Sequence, residues 1–184
     1  MQLTDEQRMV VASDSEALRV VAFAGAGKTS TLRAYAQARP EMSFLYLAFN
    51  RAIKQEAERK FPSNVYCVTT HALAFRNEGH RFKHKLVNSV RANQAAKALG
   101  IYSGIRGLIR GRRALVALNH FLSSPYYGFD DFRIAGVDEE HSADTLEDAK
   151  RLWEAMIDPG NIEMPMLHDG YLKLYQLSIN PAIK

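Results

Sequence analysis

Apolar residues fall into two patterns along the chain. In the first 70 positions they form short unbroken runs: Leu18-Arg19-Val20-Val21-Ala22-Phe23, Ser43 to Phe49, and Val65 to Thr69. Runs of this length, bounded by turn residues and rich in β-branched and aromatic side chains, predict buried strands. Between them the spacing is helical. Thr4-Asp5-Glu6-Gln7 matches a capping box and starts a short helix to about Ala12. Lys28 to Ala38 continues the first apolar run as a helix, and Asn50 caps another to about Lys60. Phe61-Pro62-Ser63-Asn64 is a turn, and Thr70 to Asn77 a fourth helix. Strands alternating with helices predict a parallel sheet in an α/β domain. Beyond Gly79 the pattern becomes mainly helical, with helices expected at Val87–Leu99, Ile105–Leu122, Asp144–Ile157 and Asp169–Leu177. The expected division is therefore 1–79 for the α/β part and 80–184 for the helical part.

Composition narrows the classes only modestly. A chain of 184 residues makes one domain or one and a half. Its net charge of +4 permits a nucleic-acid partner without requiring one. The single cysteine, Cys67, cannot form an internal disulfide and sits in a strand-like run. It reads as a small core residue in a reducing, cytoplasmic protein. No apolar run is long enough to span a membrane. Asp5, Glu6 and Arg8 stand where a secretory signal needs apolar residues. Residues 81–113 are strongly basic, whereas 130–163 are acidic, through Asp130, Asp131, Asp138, Glu139, Glu140, Asp144, Glu147 and Asp148. Two readings stand level: a phosphate-facing surface, or two stretches that neutralise each other. His80 and His84 lie four apart without nearby Cys or acidic partners, so they read as surface residues and not metal ligands.

The chemistry concentrates at Ala22-Phe23-Ala24-Gly25-Ala26-Gly27-Lys28-Thr29. An apolar run, a Gly-rich loop, Gly-Lys-Thr and a helix form the context of a phosphate-binding loop. The backbone N–H groups of Ala24 to Ser30 and the positive helix end converge on one place that suits a polyphosphate. Lys28 would reach the β- and γ-phosphates, and the Thr29 hydroxyl would ligate Mg²⁺. Gln7 is either only the third residue of a helix cap or also a reader of adenine, whose edge one amide can both donate to and accept from. Phe49-Asn50-Arg51 and Thr69-Thr70-His71 each follow a strand and open a helix. Ligands of parallel sheets sit at such carboxyl ends. The plain reading is caps at Asn50 and Thr70 with a packing histidine. The functional reading is a polynucleotide contact in which Arg51 meets phosphate and Phe49 a base.

These residues together resemble the UvrD/Rep-like superfamily 1 DNA helicases, in particular the branch of F-box DNA helicases and their bacterial relatives. Leu3-Thr4-Asp5-Glu6-Gln7 resembles the Q motif of that family, and Ala22 to Thr29 its motif I. Leu47-Ala48-Phe49-Asn50-Arg51-Ala52 is similar to motif Ia, and Thr69-Thr70-His71-Ala72-Leu73-Ala74 to motif Ib. His168-Asp169-Gly170-Tyr171-Leu172-Lys173-Leu174-Tyr175-Gln176-Leu177 resembles the segment shortly before motif II. The resemblance implies part of a RecA-like P-loop domain carrying a mainly helical insertion. It also implies ATP hydrolysis that drives translocation on single-stranded DNA, 3′ to 5′. The implied nucleotide contacts are Gln7, Ala24, Gly25, Ala26, Gly27, Lys28, Thr29 and Ser30, with Lys28 and Thr29 catalytic. The implied DNA contacts are Phe49, Asn50, Arg51, Thr70 and His71, joined by His168 and Lys173.

The family's motif II, an Asp-Glu-x-x-Asp strand, does not occur before Lys184, and Asp138-Glu139-Glu140-His141 has no apolar strand leading into it. The expectation is a truncated motor with little or no ATP hydrolysis of its own and a second polypeptide as a conceivable supplier of the rest. Two other classes stay open: a non-catalytic protein binding single-stranded DNA or a partner, and a small P-loop kinase.

Overall fold

The structure, a computed structural model, describes residues 3–101, 104–130, 132 and 139–178. It forms two compact units, Met1–Thr70 and His71–Lys184. Both mix helices with short parallel strands.

The first unit begins with α1, Asp5–Ala12. Thr4 caps it, and the full capping box is present: the Gln7 N–H donates to Thr4 Oγ1 and the Thr4 N–H to Gln7 Oε1. Helix α2, Lys28–Gln37, leaves the glycine loop. Arg39 joins the two helices. Its guanidinium donates to the carbonyls of Val11 and Ser13 at 2.8 and 2.9 Å, and lies 3.9 Å from the Tyr35 ring centre. Strands β1 (Phe44–Ala48) and β2 (Val65–Thr69) pair in parallel, with Phe44 opposite Val65 and Ala48 opposite Thr69. Helix α3, Arg51–Lys60, crosses between them, capped by the Asn50 side chain on the Ile53 N–H. Asn64 fixes the return: its amide donates to the carbonyls of Ala36, Arg39 and Met42. Cys67 is buried on β2, and burial pushes its thiol pKa up, as for an inert core residue.

The expected strand Leu18–Phe23 does not form. This segment carries no strand pairing, and Val21 and Phe23 are 85% and 90% exposed. The reason is physical. An apolar run becomes a strand only through a ladder, and among the described residues of this unit only β1 and β2 pair. The exposed run should drive concentration-dependent self-association. Light scattering should show this in the parent chain, and Val21→Lys with Phe23→Ser should suppress it. A parent chain that stays monomeric at high concentration would refute it.

In the second unit, α4 (counted from Thr70 to Asn77) leads into a 3-10 helix at Gly79–Lys85. Helices α5 (Ala92–Ala98), α6 (Gly104–Leu122), α7 (Glu139–Ile157) and α8 (His168–Leu177) follow. Two-residue strands β3 (Leu86–Val87) and β4 (Met166–Leu167) pair in parallel. The buried positions of α6 (Gly107, Gly111, Ala114, Leu115, Ala117, Leu118, Phe121 and Leu122) recur at helical spacing and make one apolar face. They pack with Phe82, Leu152, Trp153, Met156, Met164 and Met166 into the core. Lys85 is buried at the end of α7, its ammonium donating to the carbonyls of Ala155, Asp158 and Asn161. A cation there satisfies carbonyls that the helix leaves open. Burial also pushes its pKa down.

The charge runs partly neutralise each other. Arg110 holds Asp148 by two hydrogen bonds, one of 2.9 Å from Nη2, and Lys97 meets Glu163 at 3.3 Å. Arg106, Arg112 and Arg113 are exposed and have no ion-pair partner among the described residues. Asp131 and Asp138 lie outside the described residues.

Candidate functional site

The loop before α2 has the backbone that its glycines allow. Gly25 and Gly27 have φ of +80° and +77°, a region that residues with a Cβ avoid. Gly27 has a second constraint, because a Cβ there would lie 2.8 Å from Gln7 Nε2. Lys28 opens α2, and its ammonium bridges back across the loop to the carbonyls of Phe23 (2.7 Å) and Ala22 (3.2 Å). Thr29 and Ser30 follow in the first turn, both half-buried. Thr31, which sequence reasoning passed over, is 7% exposed, and its hydroxyl donates to the Gly27 carbonyl. It fastens the helix start to the loop.

Gln7 is the cap residue of its first sequence reading, and its amide also reaches the glycine loop. Its carbonyl oxygen completes the α1 cap, while Nε2 donates to the Ala26 carbonyl at 3.1 Å. The amide thus ties α1 to the glycine loop. A cleft of about 580 Å³ opens here, lined by Thr4, Gln7, Val10, Leu18, Val20, Val21, Ala26 and Lys28, among others. One wall is aliphatic; Thr4, Glu6, Gln7, Lys28 and Thr31 supply the polar groups. This size falls within the ordinary range for small-molecule sites. The donor set fits a magnesium-bound polyphosphate: one ammonium, a helix N-terminus, glycine backbone N–H groups and the Thr29 hydroxyl.

The register of β1 and β2 aligns the two strand-end motifs. Ala48 lies opposite Thr69, so Phe49-Asn50-Arg51 and Thr70 leave the sheet at the same end. Phe49 is 83% exposed. Arg51 is exposed and has no ion-pair partner among the described residues. Asn50 is engaged as the α3 cap, which leaves its second lone pair and its NH₂ free for other contacts.

The second unit holds His71, His168 and Lys173 in unequal settings. His71 Nε2 lies 2.9 Å from Asp169 Oδ1. His168 Nδ1 lies 3.0 Å from the Tyr171 hydroxyl. Asp169 and Tyr171 belong to the 168–177 segment, and nothing in the sequence alone marks either as a partner of these histidines. Lys173 departs from its expected place among the DNA contacts. It is 1% exposed, and its ammonium donates to the Ser124 and Tyr126 carbonyls and lies 4.5 Å from the Phe121 ring centre. Those carbonyls and the ring fasten α8 to the end of α6, and burial pushes the Lys173 pKa down. No group of three or more His, Cys, Asp or Glu side chains suited to a metal occurs among the described residues. Among these residues no helix is long and apolar enough to cross a membrane.

F-box DNA helicase 1 of Gallus gallus is 32% identical over 97% of this chain and 20% of its own length. F-box DNA helicase protein 1 of Schizosaccharomyces pombe is 33% identical over 98% of this chain and 23% of its own length. The chain therefore spans about a fifth of these relatives. No family model matches the chain, and no solved structure does. The loop, the strand ends and the helical second unit thus all lie within the matched stretch, and the chain is helicase-related, similar in sequence to about a fifth of each of these F-box DNA helicases.

Proposed function

We propose that this chain binds ATP with Mg²⁺ at Ala24–Ser30 and holds single-stranded DNA, as the corresponding part of an ATP-dependent helicase motor does. On this reading the first unit is part of a RecA-like domain. Lys28 meets the β- and γ-phosphates, Thr29 ligates Mg²⁺ and Gln7 lies beside the base. The observation that carries it is the glycine loop itself. Two left-handed glycines shape the loop, the Gln7 bridge fastens it, and Gln7, Ala26 and Lys28 at the helix start line the cleft beside it. When bound, ATP would supply the free energy of translocation, with 3′ to 5′ polarity, in a complete motor. The DNA contacts are Phe49, Asn50, Arg51 and Thr70 at one end of the β1–β2 sheet, with His71 and His168 in the second unit.

A non-catalytic role in holding DNA is the second reading, favoured by one observation: the acidic side chain that lines the cleft is Glu6, and its carboxylate is engaged at the start of α1 by its own backbone N–H and the Thr4 hydroxyl. The two readings share DNA binding and differ in the nucleotide. Binding of magnesium-ATP by the purified chain, measured by calorimetry, would decide for the motor part; DNA binding without nucleotide binding would decide for the holder.

Fluorescence anisotropy with a labelled oligonucleotide tests the DNA contacts. Single strands should be preferred over duplex. Phe49→Ala should cost about 1–3 kcal/mol if the ring stacks on a base. Arg51→Ala should lower the slope of log K against log salt by about 0.7, the value for one phosphate of a single strand. Absence of binding at low salt, or equal affinity for duplex, would refute the DNA reading.

A further inference from the structure

Helix α6 carries a second apolar line on its solvent side. Its inner face already fills the core, through Gly107, Ala114, Leu118 and Phe121 among others. Yet Ile105, Leu108, Ile109 and Val116 are 76%, 45%, 48% and 45% exposed. Positions 105, 109 and 116 follow helical spacing, so they run in one line along the helix, with Leu108 beside it. The line spans about 17 Å, roughly three turns. The outer side of a surface helix is ordinarily polar, and the core needs none of these four side chains.

Arginines border the line. The helix contains Arg106, Arg110, Arg112 and Arg113 and no Asp or Glu. A cleft of about 300 Å³ between α6 and α7 adjoins the line, with Arg106, Ile109 and Arg113 on one side and Asp144, Thr145 and Asp148 on the other. Asp148 is 1% exposed and neutralised, by Arg110 and by Arg151 at 3.9 Å. That leaves the exposed Asp144 against Arg106, Arg112 and Arg113, so among the described residues the border is cationic. The face is also held firmly. The Arg110–Asp148 pair ties α6 to α7, and the close approach at Gly111 ties it to α5. A preformed face loses little freedom when a partner binds.

We infer that the outer face of α6 docks an acidic amphipathic helix of a partner protein. The aliphatic line takes the partner's apolar anchors at helical spacing, and the arginines meet Asp and Glu on either side of them. Other occupants suit the face less. A nucleic-acid strand would use the arginines but leave the aliphatic line against phosphates, and the line offers no aromatic ring on which a base could stack. A second copy of the same face would set arginine against arginine. An extended peptide would find no ladder, because α6 and α7 present no strand edge. The surface is separate from the glycine loop and the strand ends, so it stands whether or not the nucleotide and DNA readings hold.

The test uses the full chain and two fluorescein-labelled helical peptides of about 14 residues, four turns. One carries Leu at helical spacing with Glu elsewhere; the other has Lys in place of each Glu. Anisotropy should show the Glu peptide binding with a Kd below about 1 mM, more weakly as salt is raised, and the Lys peptide not at all. Ile105→Ser with Ile109→Ser should weaken the Glu peptide about 10-fold or more through lost apolar burial. Arg113→Glu should weaken it about 2- to 5-fold and give the Lys peptide measurable binding. These positions face solvent, so the variants should melt with the parent, and peptide-induced amide shifts should centre on residues 105–116. No binding of the Glu peptide, equal binding of both peptides, or parental affinity in the isoleucine variant would overturn the inference. An oligothymidylate that displaces the Glu peptide, binds the isoleucine variant as it binds the parent, and fails on Arg113→Glu would assign the face to nucleic acid instead. Self-association that the isoleucine variant abolishes would assign it to a second copy.

Discussion

Lys28→Ala should reduce the affinity for magnesium-ATP by about 1.5–3 kcal/mol, roughly 10- to 150-fold, the range for a hydrogen bond to a charged partner. Lys28 stands at the first position of α2, directly after a glycine whose φ is +77°. Its ammonium already lies at the loop, 2.7 Å from the Phe23 carbonyl. Binding would exchange two neutral carbonyls for phosphate oxygens, and charge-assisted contacts of that kind are about twice as strong as neutral ones. Folding should hardly change, because Lys28 is exposed and bonds only within its own loop. Lys28→Arg should restore little, since a planar fork does not replace a compact ammonium. Calorimetric titration with ATP, beside a melting curve for each variant, separates the two effects. Equal affinities in parent and variant would remove Lys28 from the site.

What was legible in the sequence was local. The α1 capping box, the Asn50 cap and the helical stripe of α6 are each set by residues within a few turns of one another, and all three formed. The parallel pairing of β1 with β2 followed from the alternation of strands and helices. The run Leu18–Phe23 shows where such reasoning stops. Its apolar character states what the segment would bury, but a strand also needs neighbours, and pairing is not written in the run itself. Strands β3 and β4 are two residues each, too short for any periodicity. The Met166–Leu167 and His168–Leu177 junction therefore read only as a helix start. The candidate site divides in the same way. The glycine loop was visible because all its parts are contiguous. The His71–Asp169 pair was not, because its halves lie 98 residues apart. Lys173 was misplaced for a general reason: lysine is a surface residue by default, and only tertiary packing reveals carbonyls that gather round a buried ammonium.

Gly111→Ala should be the most damaging of the small changes in the second unit, by about 1–3 kcal/mol for overpacking. Gly111 is buried on α6 where that helix crosses α5. A Cβ there would lie 2.5 Å from the Ala92 carbonyl oxygen and 2.9 Å from the Ala96 amide nitrogen. Both are backbone atoms of α5, so no rotamer change can relieve the clash, and the helices must move apart. The movement would open the contact between Gly111 and Ala96 that holds α5 against the core cluster. Helix propensity works the other way, because alanine in a helix interior is favoured over glycine by about 1 kcal/mol. The sign of the result therefore decides between local propensity and close packing. Gly128→Ala is the control, since a Cβ there meets nothing within 4 Å. At about 2–4 °C per kcal/mol, Gly111→Ala should melt several degrees below the parent while Gly128→Ala stays near it. A Gly111→Ala chain that melts at or above the parent temperature would show that α5 and α6 do not pack this closely.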